Sequence, residues 1–117
     1  MAGDAYDTIK RFWAVQDGGD YTATAELFAD DAVFEDPIYG TFNGQPAIAE
    51  FMAKMNAAVG AINGVFLLEE LSGDDETAWA QWRFESDRGT RHGVGIYRVR
   101  GGRIVYYKDY MNPGPDD

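Results

Sequence analysis

An aspartate interrupts the stretch RIVYYKDYM, residues 103–111, which is otherwise rich in β-branched and aromatic residues. Asp is disfavoured in strands and a carboxylate is costly to bury, so Asp109 either faces solvent or is placed for chemistry. Asp36 lies in the motif EDP. There a carboxylate either caps the turn before Pro37 or, against an apolar wall, gains a raised pKa and can shuttle a proton. Arg83 and Glu85 stand two residues apart in WRFES. Two carboxylates near one guanidinium can hold different protonation states and so supply an acid and a base at one pH. The same groups can equally form a structural Arg83–Asp109 salt bridge. His92, the only histidine, is of the residue type that can act as a general base near neutral pH. One histidine among scattered carboxylates makes no metal site. With no cysteine in the chain, thiolate chemistry, disulfides and Cys-ligated zinc are excluded.

The 117 residues suffice for one domain with one core. Apolar residues make up 45% and aromatic residues 15% of the chain, a composition that folds. The formal net charge of −10 disfavours nucleic acid and anionic membranes as partners. The start MAGDAYDTIK has no basic region followed by an apolar one, and no run approaches the roughly 20 residues of a membrane span, so a cytoplasmic protein is expected.

The elements that must position these groups follow from periodicity. Ile9, Phe12 and Trp13 form a helical stripe over 5–16, with Asp4 as its N-cap. A shorter helix over 21–29 is capped by Asp20, and a strand over 33–35 stops at Pro37. A third helix spans 46–59, with Pro46 in its first turn and Ile48, Phe51, Met52, Met55 and Val59 on one face; Gly60 ends it. The period then changes to two. Four strands follow, joined by SGDD, DRG and the two-residue hairpin GG. Helices followed by an antiparallel meander predict an α+β domain, with three helices covering one face of a curved, mostly antiparallel sheet.

Alternation sorts each strand into two faces. Trp79, Gln81, Arg83 and Glu85 oppose Ala78, Ala80, Trp82 and Phe84. Arg91, Gly93, Gly95 and Tyr97 oppose His92, Val94, Ile96 and Arg98. Val105, Tyr107, Asp109 and Met111 oppose Ile104, Tyr106, Lys108 and Tyr110. His92 therefore falls opposite Asp109 and reads as a surface or interface residue. Neither face is purely polar, so the side away from the helices is a candidate homodimer interface through Trp82, Phe84, Val94 and Ile96. Gly93 and Gly95 on one face of a strand either leave volume for a ligand or let the sheet bend.

The segment GGDYTATAELFADDAVFEDPIYGTFNGQPAIAEFM, with the meander after it, resembles the nuclear transport factor 2-like superfamily, whose members include ketosteroid isomerases, SnoaL-like polyketide cyclases and limonene epoxide hydrolases. The resemblance covers nearly the whole chain. It implies a cone-shaped α+β barrel with a deep pocket, faced by the set containing Arg83, Gly95 and Asp109. Asp36 matches the general base of the isomerases, but their two oxyanion donors are matched here by Phe12 and Gly95, which donate nothing. WRFE and YKDYM resemble the segments that supply an Asp-Arg-Asp triad in the epoxide hydrolases, with Glu85 in place of one Asp and a shorter hairpin after it.

The expectation is therefore a cofactor-free acid–base enzyme with a hydrophobic pocket. It would carry out cyclisation, isomerisation or epoxide opening on a terpenoid-, polyketide- or steroid-like metabolite. Asp109 would be the main base or acid, Arg83 its orienting partner, and Asp36 or Glu85 the second carboxylate. Phe12, Tyr39, Phe51, Met55, Trp79, Gln81, Gly95, Tyr97, Tyr107 and Met111 would line the pocket. The competing expectation is a non-catalytic ligand-binding or dimerisation module. It gains if Trp13, Trp79 and Tyr107 fill the cone, and loses if Asp109 and Arg83 lie at the floor of an enclosed pocket.

Overall fold

A computed structural model describes residues 3–17 and 21–112. Helix α1, Asp4–Asp17, buries Ala5, Thr8, Ile9, Phe12, Trp13 and Gln16, the stripe expected of an amphipathic helix. Its first turn is closed by the Asp7 N–H on the Gly3 carbonyl. Asp4 does not cap it; the Asp4 carboxylate accepts the Gly102 N–H at 3.1 Å. The segment Tyr21–Leu27 is a 3₁₀ helix rather than a longer α-helix, and its expected cap, Asp20, lies outside the described residues.

Strand β1, Phe28–Asp36, is longer than expected, and a short strand β2, Gly40–Asn43, follows it. β2 escapes sequence reading because its four residues begin with one glycine of positive φ, Gly40, and are followed by another, Gly44, so they look like loop. Helix α2, Gln45–Ala61, has Pro46 in its first turn and runs one residue past Gly60. The meander is β3 Val65–Gly73, β4 Thr77–Ser86, β5 Gly89–Arg100 and β6 Arg103–Met111. Gly101 and Gly102, with φ of 59° and 76°, make the tight β5–β6 turn.

The six strands form one sheet in the order β2-β1-β6-β5-β4-β3, antiparallel throughout except for the β1–β6 pair. α1 packs on β3, β4 and β5, while α2 packs on β1, β2 and the 3₁₀ segment. The enclosed space is filled largely by aromatic rings. Tyr107 stacks on Phe34 at 4.5 Å and on Tyr97 at 4.3 Å, and Phe12 meets it edge-on at 5.9 Å. Among the described residues no helix is long and apolar enough to cross a membrane.

The register between strands corrects one expectation. Ala80 pairs with Gly95, and Gly95 with Asp109, so Ala78, Ala80 and Trp82 share the inner face with Gly93, Gly95, Tyr97 and Asp109. Arg83 pairs with His92 and lies on the outer face. β4 and β5 alternate as expected, but the two sets of β4 are exchanged relative to its neighbours; in β6 a register irregularity opposite Arg98/Val99 turns Ile104, expected opposite Tyr107, into the same core. The physical reason for the exchange in β4 is burial: Ala78, Ala80, Trp82 and Phe84 are the more apolar set and turn inward, while Gln81, Arg83 and Glu85 keep their polar ends in water. Trp82 is buried and Phe84 packs on Phe66 inside the cone, so neither belongs to an outer interface; Val94 and Ile96 do lie on the outer face.

Candidate active site

Asp109 is held toward the C-terminal end of β6, opposite Gly95 of β5. Its Oδ1 accepts the Trp82 indole N–H at 3.3 Å and its Oδ2 accepts the Tyr107 hydroxyl at 2.9 Å. The Tyr107 hydroxyl is also hydrogen-bonded to that of Tyr97. The Tyr97 hydroxyl in turn accepts the Trp13 indole N–H at 3.2 Å. When Asp109 is ionised, Tyr107 and Trp82 both donate to the carboxylate, and Trp13 donates to Tyr97 behind them. Each buried polar group in this cluster is paired, which is what makes such a network tolerable in an apolar core.

Burial pushes the Asp109 carboxyl up to about 7, and the nearby charge of Asp36 adds to this, while the Tyr107 and Trp82 donors pull the other way. Part of the residue's surface still reaches solvent, while both carboxyl oxygens are engaged by the aromatic donors. Near neutral pH it is divided between acid and carboxylate, the condition under which a group can both take and return a proton. Burial, reinforced by the charge of Asp109, raises Tyr97 and Tyr107, so both remain proton donors.

Glycine makes this arrangement possible. A Cβ on Gly93 would lie 2.2 Å from Cζ2 of the Trp82 ring, and one on Gly95 would lie 2.9 Å from Asp109 Oδ1 and 3.0 Å from the Tyr97 hydroxyl. The two glycines leave room for the Trp82 indole and for the carboxylate cluster. Gly93→Ala is therefore expected to expel the indole from its hydrogen bond and destabilise the fold by about 1–3 kcal/mol, as overpacking does. Thermal melting with tryptophan fluorescence checks both effects; an unshifted spectrum and melting point would contradict this packing account.

Two spaces meet at Asp109. A cleft of about 260 Å³, lined by Glu35, Asp36, Pro37, Thr41, Lys108, Asp109, Tyr110 and Met111, opens to solvent. On the other side, about 20 Å³ remains inside the cone among Phe12, Trp13, Gln16, Phe34, Met52, Met55, Phe66, Trp82, Tyr107 and Asp109. Asp36 is the turn cap that its place before Pro37 suggested. It accepts the N–H groups of Ile38 and Tyr39 at 2.8 and 2.9 Å, capping the β1–β2 turn, and it also lines the cleft beside Asp109.

The remaining expected residues divide. Phe12, Met55 and Tyr107 line the inner space, and Met111 lines the cleft. Gly95 and Tyr97 lie beneath Asp109, and Phe51 is buried in a stack with Phe42. Tyr39 is 64% exposed, with its ring 5.6 Å from that of Phe51. Trp79, 41% exposed, and Gln81 are on the outer face, away from both spaces. Arg83 bonds Glu69 at 2.8 Å and Glu85 at 2.6 Å there, so neither Arg83 nor Glu85 meets Asp109. His92 lies on the same outer face, 4.0 Å from Glu69. Asp109 thus has aromatic donors where a guanidinium was expected. Gln16, Phe34, Met52, Phe66 and Trp82 were not anticipated as lining, and Trp13 only as a residue that would fill the cone. Gln16 carried a signal, since it continues the stripe Ile9, Phe12, Trp13 one turn on. Among the described residues no group of acidic or histidine side chains could hold a metal ion.

Residues 9–107 match the SnoaL-like domain model. The chain belongs to the SnoaL-like domain family. No functionally curated protein matches this SnoaL-like chain. Several solved structures share its fold. An NTF2-like protein of unknown function from Mesorhizobium loti is 27% identical, with a TM-score of 0.79 over 93% of this chain and 91% of that one. A candidate ketosteroid isomerase from Kribbella flavida is 15% identical, with a TM-score of 0.81 over 97% and 82%. A candidate polyketide cyclase from Sinorhizobium meliloti is 23% identical, with a TM-score of 0.74 over 89% and 94%. The SnoaL-like cone, curved sheet and helical cover anticipated from the sequence are present.

Proposed function

We propose that this SnoaL-like domain is an acid–base enzyme that cyclises or isomerises a small hydrophobic metabolite, with Asp109 as the proton-transfer group. One observation carries the reading. A carboxyl raised to about 7 sits between an open cleft and an apolar interior, held by two aromatic donors. Asp36 is the second carboxylate of the site, and its negative charge favours the protonated form of Asp109. Ionised, Asp109 takes a proton from a carbon activated by a neighbouring carbonyl; protonated, it returns that proton elsewhere on the same molecule. The names of the cyclase and isomerase neighbours are consistent with such chemistry. Epoxide opening by an Asp–Arg–Glu triad is left without support, because Arg83 and Glu85 are on the far side of the sheet.

A second reading, a binding or structural module, is favoured by the small interior: Trp13 and Tyr107 help fill the cone to about 20 Å³, although Trp79 is outside it. Deuterium exchange separates the two. Cyclic ketones and β-diketones are incubated with the protein in D₂O, and loss of their α-proton signals is followed by NMR. An enzyme accelerates exchange of at least one of them, and Arg83→Gln does so equally well. Absence of acceleration across the panel favours the module.

A further inference from the structure

Gln16 is 7% exposed, on the last turn of α1, and lines the inner space among mostly aromatic and methionine side chains, with Asp109 also bordering it. Among the described residues its carboxamide has no hydrogen-bond partner, whereas the Trp13, Trp82, Tyr97 and Tyr107 polar atoms around the same space are all paired. A buried amide without a partner costs stability, so a purely structural core would place Leu or Met there. Gln16 also stands in line with Ile9, Phe12 and Trp13, where the helical stripe calls for an apolar residue.

We infer that Gln16 is a recognition group for the ligand: its amide N–H donates to a neutral oxygen, a ketone or ester carbonyl, on a molecule whose apolar body lies in the cone beside Asp109. This deepens the proposed function by naming the ligand class. A carboxamide carries no charge, so it favours a carbonyl over a carboxylate or phosphate, whose burial in this wall of Phe12, Phe34 and Phe66 would be expensive. The interior holds about one water molecule's volume, so ligand entry needs the cone to widen. Met52 and Met55 form the α2 side of the space. Methionine has three rotatable bonds and no branch, and it is the side chain best able to turn aside and repack around a guest. Asp109 and Gln16 border the same space from β6 and α1, so a carbonyl held by Gln16 is presented on the side of the cone where the carboxyl works.

The test compares cyclohexanone with methylcyclohexane, which are similar in size and differ in the carbonyl. Binding to the wild type and to Gln16→Met is followed by NMR, including the Gln16 side-chain NH₂ signals. The wild type is expected to prefer the ketone, with the NH₂ signals shifting on ketone addition only. Gln16→Met is expected to lose about tenfold of that preference, the equivalent of one hydrogen bond, while still binding the hydrocarbon. Its melting temperature should equal or exceed the wild type's, because an unpaired buried amide has been removed. An unchanged ketone preference, a lowered melting temperature, or absence of any shift at Gln16 with either probe would overturn the inference. The measurement is of binding alone, so it stands or falls separately from proton transfer by Asp109.

Discussion

Asp109→Asn is expected to slow α-proton exchange by about 10²-fold or more, the range a positioned general acid or base contributes. The substitution keeps the shape of the side chain and an oxygen able to accept from Tyr107 or Trp82, but it removes the proton that is gained and lost near pH 7. The wild-type rate should rise with pH and level off above about 7, as the carboxylate form becomes complete; the residual rate of the variant should lack that inflection. Arg83→Gln should follow the wild-type profile throughout, since Arg83 is engaged with Glu69 and Glu85 on the opposite face. Solvent screens exposed pairs of that kind and leaves them little weight in stability, so the variant should also fold normally. Exchange that survives in Asp109→Asn would remove Asp109 from the mechanism.

The same variant is expected to become more stable relative to the wild type as pH rises. The folded Asp109 carboxyl, at about 7, lies above its ordinary 3.8. The folded chain therefore binds this proton more tightly than the unfolded chain does. The resulting stabilisation is complete below about pH 4, declines as pH rises, and is lost above about pH 7. Linkage sets its size at up to about 4 kcal/mol, an upper figure because part of the residue touches solvent. Asn is neutral throughout, so the stability of Asp109→Asn minus that of the wild type should climb between pH 4 and pH 8 by up to that amount. Glu69 and Asp74, whose hydrogen bonds hold them below the usual carboxylate range, are common to both proteins and cancel in the difference. Urea unfolding of both at several pH values provides the curve. A flat difference would mean that Asp109 is an ordinary solvated carboxylate. The two results together separate function from architecture: a carboxylate kept for structure would lose stability when replaced, whereas one kept for chemistry loses rate and gains stability at high pH.

Much of this was legible in the chain before folding. The switch from a helical period in Ile9, Phe12 and Trp13 to a period of two after Gly64 defines an α+β domain, because each period belongs to one backbone geometry. Asp109 stood out because a lone carboxylate in an aromatic strand conflicts with both propensity and burial. Gly93 and Gly95 stood out in the same way, although only packing shows that they make room for Trp82 and for the carboxylate cluster. β2 was missed because its pairing with β1 is a long-range hydrogen-bond pattern that its four residues do not signal.

The partner of Asp109 was decided by tertiary structure alone. Alternation is a property of one strand, and it assigns Arg83 and Asp109 each to a face of its own strand. Whether those faces coincide depends on the register between β4, β5 and β6, which is set by whichever side chains pack best under α1. Ala78, Ala80 and Trp82 went inward, carrying Arg83 out to Glu69 and bringing an indole N–H to Asp109. The sequence by itself determined that a carboxylate would stand in the last strand; the inter-strand register decided that it would be buried against aromatic donors instead of paired with a guanidinium. A paired Asp would titrate low, and the burial of this one lifts it to neutrality.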